Sequence, residues 1–216
     1  MKPRLPFTSL PAPLRYPALP ANFFTDRAAL LPIATPTRPV KPLDQVLAPP
    51  ASPSLDWEML PLSKRKALGR AAVLDLHGFL PPRQREFVLT LISTSEERDF
   101  FIGKMIELAG IVKAMPHTYQ TDGQLDSAIV HLHYFQPATN FDWYLIEKDK
   151  GDKDDSPADF QSQAYGFVNL ADRECAESGY ISLPEMFRSR YPVELDFHWD
   201  PKPLGQVKAA LYPDGD

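Results

Sequence analysis

Thirteen of the chain's 24 prolines fall between Pro3 and Pro53, and that crowding limits the first quarter of the sequence more than any other feature. Each proline removes a backbone donor and drives the residue before it towards extended geometry, so helices and central strands are disfavoured throughout. The sequence therefore predicts a proline-rich, extended or disordered arm over residues 1–58 and one α+β domain over residues 59–216. Ordinary disordered tails lack the arm's apolar content, which includes Phe7, Leu14, Tyr16, Phe23, Phe24 and Leu30. Phe23 and Phe24 mark the arm as a candidate contact segment for another protein. Pro36, Pro39 and Lys41 add the proline spacing and trailing cation of a polyproline-groove ligand, a pattern that proline-rich chains also produce by chance. Trp57 and Met59, at the boundary, are placed to pin the arm to the first helix.

From Leu62 the texture turns helical, and residues 62–116 form the helical part of the domain. A first helix follows Ser63, a candidate N-cap, and stops before Gly78 and the Pro81-Pro82 pair. Pro82 opens a second helix that runs from Arg83 to about Ile92. Thr94 or Ser95 caps a third, with Glu96, Glu97 and Asp99 near its positive end. Phe101, Met105, Leu108 and Val112 recur at helical spacing and predict its buried stripe. The period then shortens to two, and residues 125–207 form the sheet part. Strands are expected over Ala128–Phe135, Phe141–Glu147, Ala164–Leu170 and Val193–Trp199, with a short helix over Leu183–Arg188 that Ser182 caps. Residues 148–159 read as a charged loop and the residues after Pro201 as a polar tail. Helices first and a mainly antiparallel sheet of about four strands after them give the α+β class.

The formal net charge of −5 and pI of about 5.5 give no support to general nucleic-acid binding. One cluster runs against that balance: Lys64, Arg65, Lys66 and Arg70 share the first helix. They form either a solvated face or a phosphate contact. Cys175 is the only cysteine, so an intramolecular disulfide is excluded and a reducing, cytoplasmic compartment suits the chain. The first residues lack an uninterrupted apolar stretch, so no secretory signal is expected. No apolar run approaches the length of a membrane span, so no membrane partner is expected.

Three constellations bear on chemistry. In Val193–Asp200, Glu194, Asp196, His198 and Asp200 alternate with apolar residues, which puts them on one face of an extended strand. His131 and His133 likewise share a face. If those faces align, His131, His133, Asp196 and His198 could ligate a divalent metal, with Glu194 or Glu147 as general base. Such a site would make the protein a metal-dependent hydrolase or nuclease. The bland alternative is that alternation marks any half-exposed antiparallel strand. The second constellation is Asp142, Tyr144 and Glu147, carboxylates beside aromatic rings. Alternation predicts Trp143 and Glu147 on one strand face, Asp142 and Tyr144 on the other. The third is nucleophilic: Ser127 and Ser182 lie near histidines, but neither sits in a nucleophile elbow. Gly-rich phosphate loops are absent, which disfavours nucleotide-dependent catalysis.

The second half carries a set of blocks in order: Val130–Phe135 (VHLHYF), Asp142–Glu147 (DWYLIE), Tyr165–Val168 (YGFV), Glu177–Glu185 (ESGYISLPE), Val193–His198 (VELDFH) and Pro201–Leu204 (PKPL). In order and spacing they resemble the domain-of-unknown-function 2958 family of plasmids and other bacterial mobile elements, over residues 125–207. His133 and Leu195 depart from the family, which usually has an aromatic or apolar residue at the first and arginine at the second. The resemblance implies a mobile-element setting and conflict with host defence, and it carries no catalytic residues. The leading expectation is therefore a non-enzymatic accessory protein that acts by protein–protein contact, and the alternative is the metal-dependent hydrolase.

Overall fold

A computed structural model describes residues 57–149, 162–171 and 173–213. Three helices come first: α1 (Leu62–Asp75), α2 (Pro82–Thr94) and α3 (Arg98–Ala114). Helix α1 starts on Pro61, whose carbonyl accepts from the Lys64 and Arg65 amides at 2.9 and 3.1 Å. The expected cap, Ser63, instead lies inside the first turn, because Pro61 holds the extended ψ of 144° that a cap position needs. Gly69 lets α1 and α3 close on each other; a Cβ there would stand 2.8 Å from Ile102 Cγ1. Along α3 the buried stripe is Ile102, Met105, Leu108 and Val112, with Phe101 only partly covered. Trp57 packs on α3 at Gly103 and Met59 is 81% exposed, while the arm they were expected to pin lies outside the described residues.

The main sheet is antiparallel throughout. Its strands are β2 (Leu132–Gln136), β3 (Phe141–Lys148), β4 (Gln163–Leu170), β5 (Glu177–Ser182) and β6 (Glu194–Leu195), in the order β5-β4-β3-β2-β6. A second pair joins β1 (Ile129–Val130) to β7 (Lys202–Pro203). Two short α-helices follow in the sheet half: α4 (Leu183–Phe187), which Ser182 caps through the Glu185 amide, and α5 (Leu204–Leu211). The architecture is α+β, as the pattern of helices followed by strands predicts.

Three of the sequence expectations fail, each for a local reason. The strand expected over Val193–Trp199 pairs at two residues only. Beyond Leu195, the Asp196 carboxylate accepts from the His198 amide at 2.9 Å and its carbonyl from the Trp199 amide at 3.4 Å, so a turn replaces the ladder. Glu177–Ser182, which none of the four expected strands covers, is a further strand of the sheet. The residues after Pro201, read as a polar tail, form α5, which buries Leu204 and Val207.

The sheet is covered on both faces. Leu132, Tyr134, Leu145, Ala164 and Ile181 meet the helices in the larger core. Tyr144, Ile146 and Phe167 face the other way and meet Val130, Leu204 and Val207 in a smaller one. Burying apolar area on both faces, at roughly 25 cal/mol per Å², drives the layering. The β6 edge is closed by α2: the Gln84 amide accepts from Leu195 N–H at 2.7 Å and donates to its carbonyl at 2.9 Å. On the opposite edge, no strand among the described residues pairs beyond β5.

Candidate functional site: a tyrosine-rimmed cleft

Strand β3 changes its sidedness near its end. Tyr144 stands opposite Phe167 and Leu145 opposite Gly166, but the next pair is Glu147 with Tyr165. Ile146 is therefore an extra residue, a β-bulge. It puts Glu147 on the face that carries Tyr144 and Ile146, away from Trp143. This corrects the expectation that Trp143 and Glu147 share a face, since strict alternation does not survive an inserted residue. Gly166 permits the bulge: a Cβ there would run into the Tyr144 carbonyl oxygen and lie 3.0 Å from Leu145 Cα.

The redirected Glu147 is 3% exposed. Its carboxylate accepts from the Tyr119 amide at 2.8 Å, the Thr121 amide at 2.6 Å and the Thr121 hydroxyl at 2.7 Å. These bonds hold the loop of residues 117–127 against the sheet. Thr118 adds a bond from its amide to the Lys148 carbonyl at 2.9 Å. Lys148 itself points to the helix layer, where its ammonium donates to the Val112 and Lys113 carbonyls at 2.7 and 3.0 Å and caps α3. Burial lowers its pKa from the ordinary lysine value.

Between the loop, β3–β5 and α5 lies a cleft of about 310 Å³ with Glu147, Tyr165 and Tyr180 among its walls. Two loop residues on its rim, Tyr119 (φ 70°) and Leu125 (φ 48°), occupy the left-handed region. That region costs a side chain with a Cβ on the order of 1–3 kcal/mol. Both side chains are solvent-facing, at 75% and 81% exposure. The neighbouring Tyr119 side chain pushes the pKa of Tyr180 up to about 12. The rings of Tyr165 and Tyr180 meet edge to face at 5.7 Å and 69°. Three tyrosines thus surround a buried carboxylate, held by a strained loop.

The residues singled out in the sequence fall elsewhere or into structural roles. His133 lies between two carboxylates, with Nδ1 3.1 Å from Asp196 and Nε2 2.9 Å from Asp142. Its ring stacks on Tyr144 at 4.7 Å and 7°, and Trp199 tilts against it at 5.0 Å. Both ring nitrogens are thus engaged by neighbouring carboxylates. His131 is half-buried and held down to about 4 by burial and then by the Lys148 charge. His198 is exposed. The set His131, His133, Asp196 and His198 therefore does not assemble as a ligand sphere. Among the described residues, no three His, Cys, Asp or Glu side chains gather to hold a metal ion. Glu194 lies opposite Phe135 on the β6 edge, remote in strand order from the cleft. Burial raises the Tyr144 hydroxyl above its ordinary value, and the Asp142 charge adds to this.

The basic cluster is largely tied down. Arg65 pairs with Asp99 on α3, the Lys66 ammonium donates to the Ser93 carbonyl at 2.7 Å, and Arg70 donates to the Ser93 hydroxyl at 3.2 Å. These three bind the end of α2 and the start of α3 to α1, and of the four cations Lys64 and Arg70 are exposed. Phe23, Phe24, Pro36, Pro39 and Lys41 lie outside the described residues.

No family profile, curated protein or solved structure matches the chain. No described helix is long and apolar enough to cross a membrane. The cleft was hidden in the sequence because its parts come from residues 119–126, 146–147, 165, 178–180 and 204–208, and only the fold gathers them. A usable signal was present in Tyr165 and Tyr180, which cross-strand pairing brings together.

Proposed function

We propose that the protein acts by binding another protein, as a non-enzymatic accessory protein of a bacterial mobile element. The observation that carries this reading is the rim of the cleft, where Tyr119, Leu125 and Tyr180 are exposed at 75%, 81% and 50%. Aromatic residues that present a large rigid area to solvent around a concave site are what protein partners use as anchors. The polar groups nearest to a catalytic arrangement support the same reading. Glu147 and His133 direct their bonding capacity inward, to the loop and to Asp142 and Asp196. The resemblance of residues 125–207 to a mobile-element family supplies the setting. The apolar, proline-rich arm is a second contact surface in this reading, on the strength of its composition.

The test is affinity purification of the tagged full chain from cells that carry the element, beside a Tyr119→Ala/Tyr180→Ala variant. A partner retained by the wild-type chain and lost by the variant is the expected result. Deletion of residues 1–55 should weaken the same capture and leave the domain folded. A partner held equally by all three chains overturns the reading.

A further inference from the structure

The cleft differs from a plain apolar anchor site in its charge. Among the described residues that line it, Asp122, Asp126 and Glu147 set three carboxylates against one ammonium, that of Lys208, a formal balance of −2. Lys208 is engaged: it donates to Asp126 at 2.6 Å and lies over the Phe167 ring at 5.4 Å. Asp126 and Lys208 neutralise each other, which leaves Asp122 at the rim and Glu147 at depth. Among the described residues no cation pairs with Glu147; its three partners are two amides and a hydroxyl. A carboxylate offers about four acceptor positions, and the single bond to Oε2 leaves one of them open. A charge buried without a counter-ion is costly, and a cation brought into the cleft would offset part of that cost.

The surrounding rings favour the same kind of ligand. The faces of tyrosine rings are negative and attract ammonium or guanidinium groups within about 6 Å, by roughly 2 kcal/mol where water is excluded. Tyr119, Tyr165 and Tyr180 line this one cleft of about 310 Å³. No His, Cys, Asp or Glu grouping suited to a metal occurs among the described residues, so an organic cation fits the walls better than an inorganic one.

We infer that the cleft formed by Tyr119, Tyr165, Tyr180 and Glu147 takes a cationic side chain, lysine or arginine, presented by the protein partner. This deepens the protein-binding reading and rests on it. The charge of the chain agrees with the assignment, since a net −5 attracts a basic partner.

The test uses the full chain and short glycine-serine peptides that carry one central arginine, or citrulline as its uncharged isostere. Ring-proton resonances of the tyrosines are followed by titration. Saturable shifts at Tyr119, Tyr165 and Tyr180 are expected with the arginine peptide, with binding about tenfold weaker for citrulline. Glu147→Gln should weaken arginine binding in the same direction. Tyr180→Leu, at a half-exposed strand position, should do so too, with circular dichroism confirming the fold. Equal binding of arginine and citrulline, or no shift with either, overturns the inference. The two readings fail separately. A captured partner that needs the tyrosines but tolerates neutralisation of its own basic residues defeats only the cationic assignment. A partner indifferent to the tyrosines defeats the protein-binding reading of the cleft.

Discussion

Glu147→Gln separates a structural carboxylate from a catalytic one. The change is nearly isosteric. Glutamine keeps one oxygen, which still receives the Thr121 amide and hydroxyl, now without a charge. The other oxygen becomes an amide NH2 that confronts the Tyr119 N–H, so that bond is lost. A hydrogen bond to a charged group contributes about 1.5–3 kcal/mol, and the two retained bonds weaken as well. Relief of the buried charge acts in the opposite sense, and water can reach the exposed loop. A net loss of about 2 kcal/mol follows. With a urea slope of about 2 kcal/mol/M, the unfolding midpoint should fall by about 1 M. If the loop opens without global unfolding, the loss appears instead as faster amide exchange at Tyr119 and Thr121, by about thirtyfold. Urea titration followed by circular dichroism and native-state hydrogen exchange read the two outcomes. An unchanged or raised midpoint with unchanged exchange would refute the reasoning. It would mean that the carboxylate is kept at the expense of stability, as functional groups are.

Gly166→Ala should destabilise the fold by about 3 kcal/mol or prevent soluble expression, because the added methyl meets backbone that cannot yield; thermal unfolding measures it. His131 titrates in the folded state at about 4 rather than 6.5, so its protonation favours unfolding. The stability tied to its neutral form is therefore fully present above pH 6.5 and lost as the pH falls towards 4, about 3 kcal/mol in all. His131→Leu should flatten that acid limb in stability measured against pH. His133→Leu leaves Asp142 and Asp196 facing each other without the donor between them, and should cost about 2 kcal/mol in denaturant unfolding. Asp142→Asn in the same background should recover part of the loss.

Periodicity disclosed the helical layer and the central strands because their apolar residues recur at regular spacing and meet a core. Met105, Leu108 and Val112 are buried as their spacing requires. It misled where a side chain competes with the ladder: Asp196 turns the backbone although Val193–Trp199 alternates without a break. It also misled at Ile146, since one extra residue reverses every later position, and nothing in the sequence marks a bulge except a glycine on the neighbouring strand. Helix α5 carried a legible signal in Leu204, Val207 and Leu211, but it is short and follows two closely spaced prolines, Pro201 and Pro203. The histidines illustrate a different limit. Residue type suggested metal binding, while the partners that decide the matter, Asp142 and Asp196, are 9 and 63 positions away from His133.

The bulge has a mechanical consequence. Glu147 and Lys148 are consecutive, yet the first grips the 117–127 loop and the second grips the end of α3. One dipeptide therefore ties both the loop and the helix end that precedes it to the sheet. Force applied to the loop, as when a ligand seats beside Tyr119, reaches the last turn of α3 through a lever a single residue long.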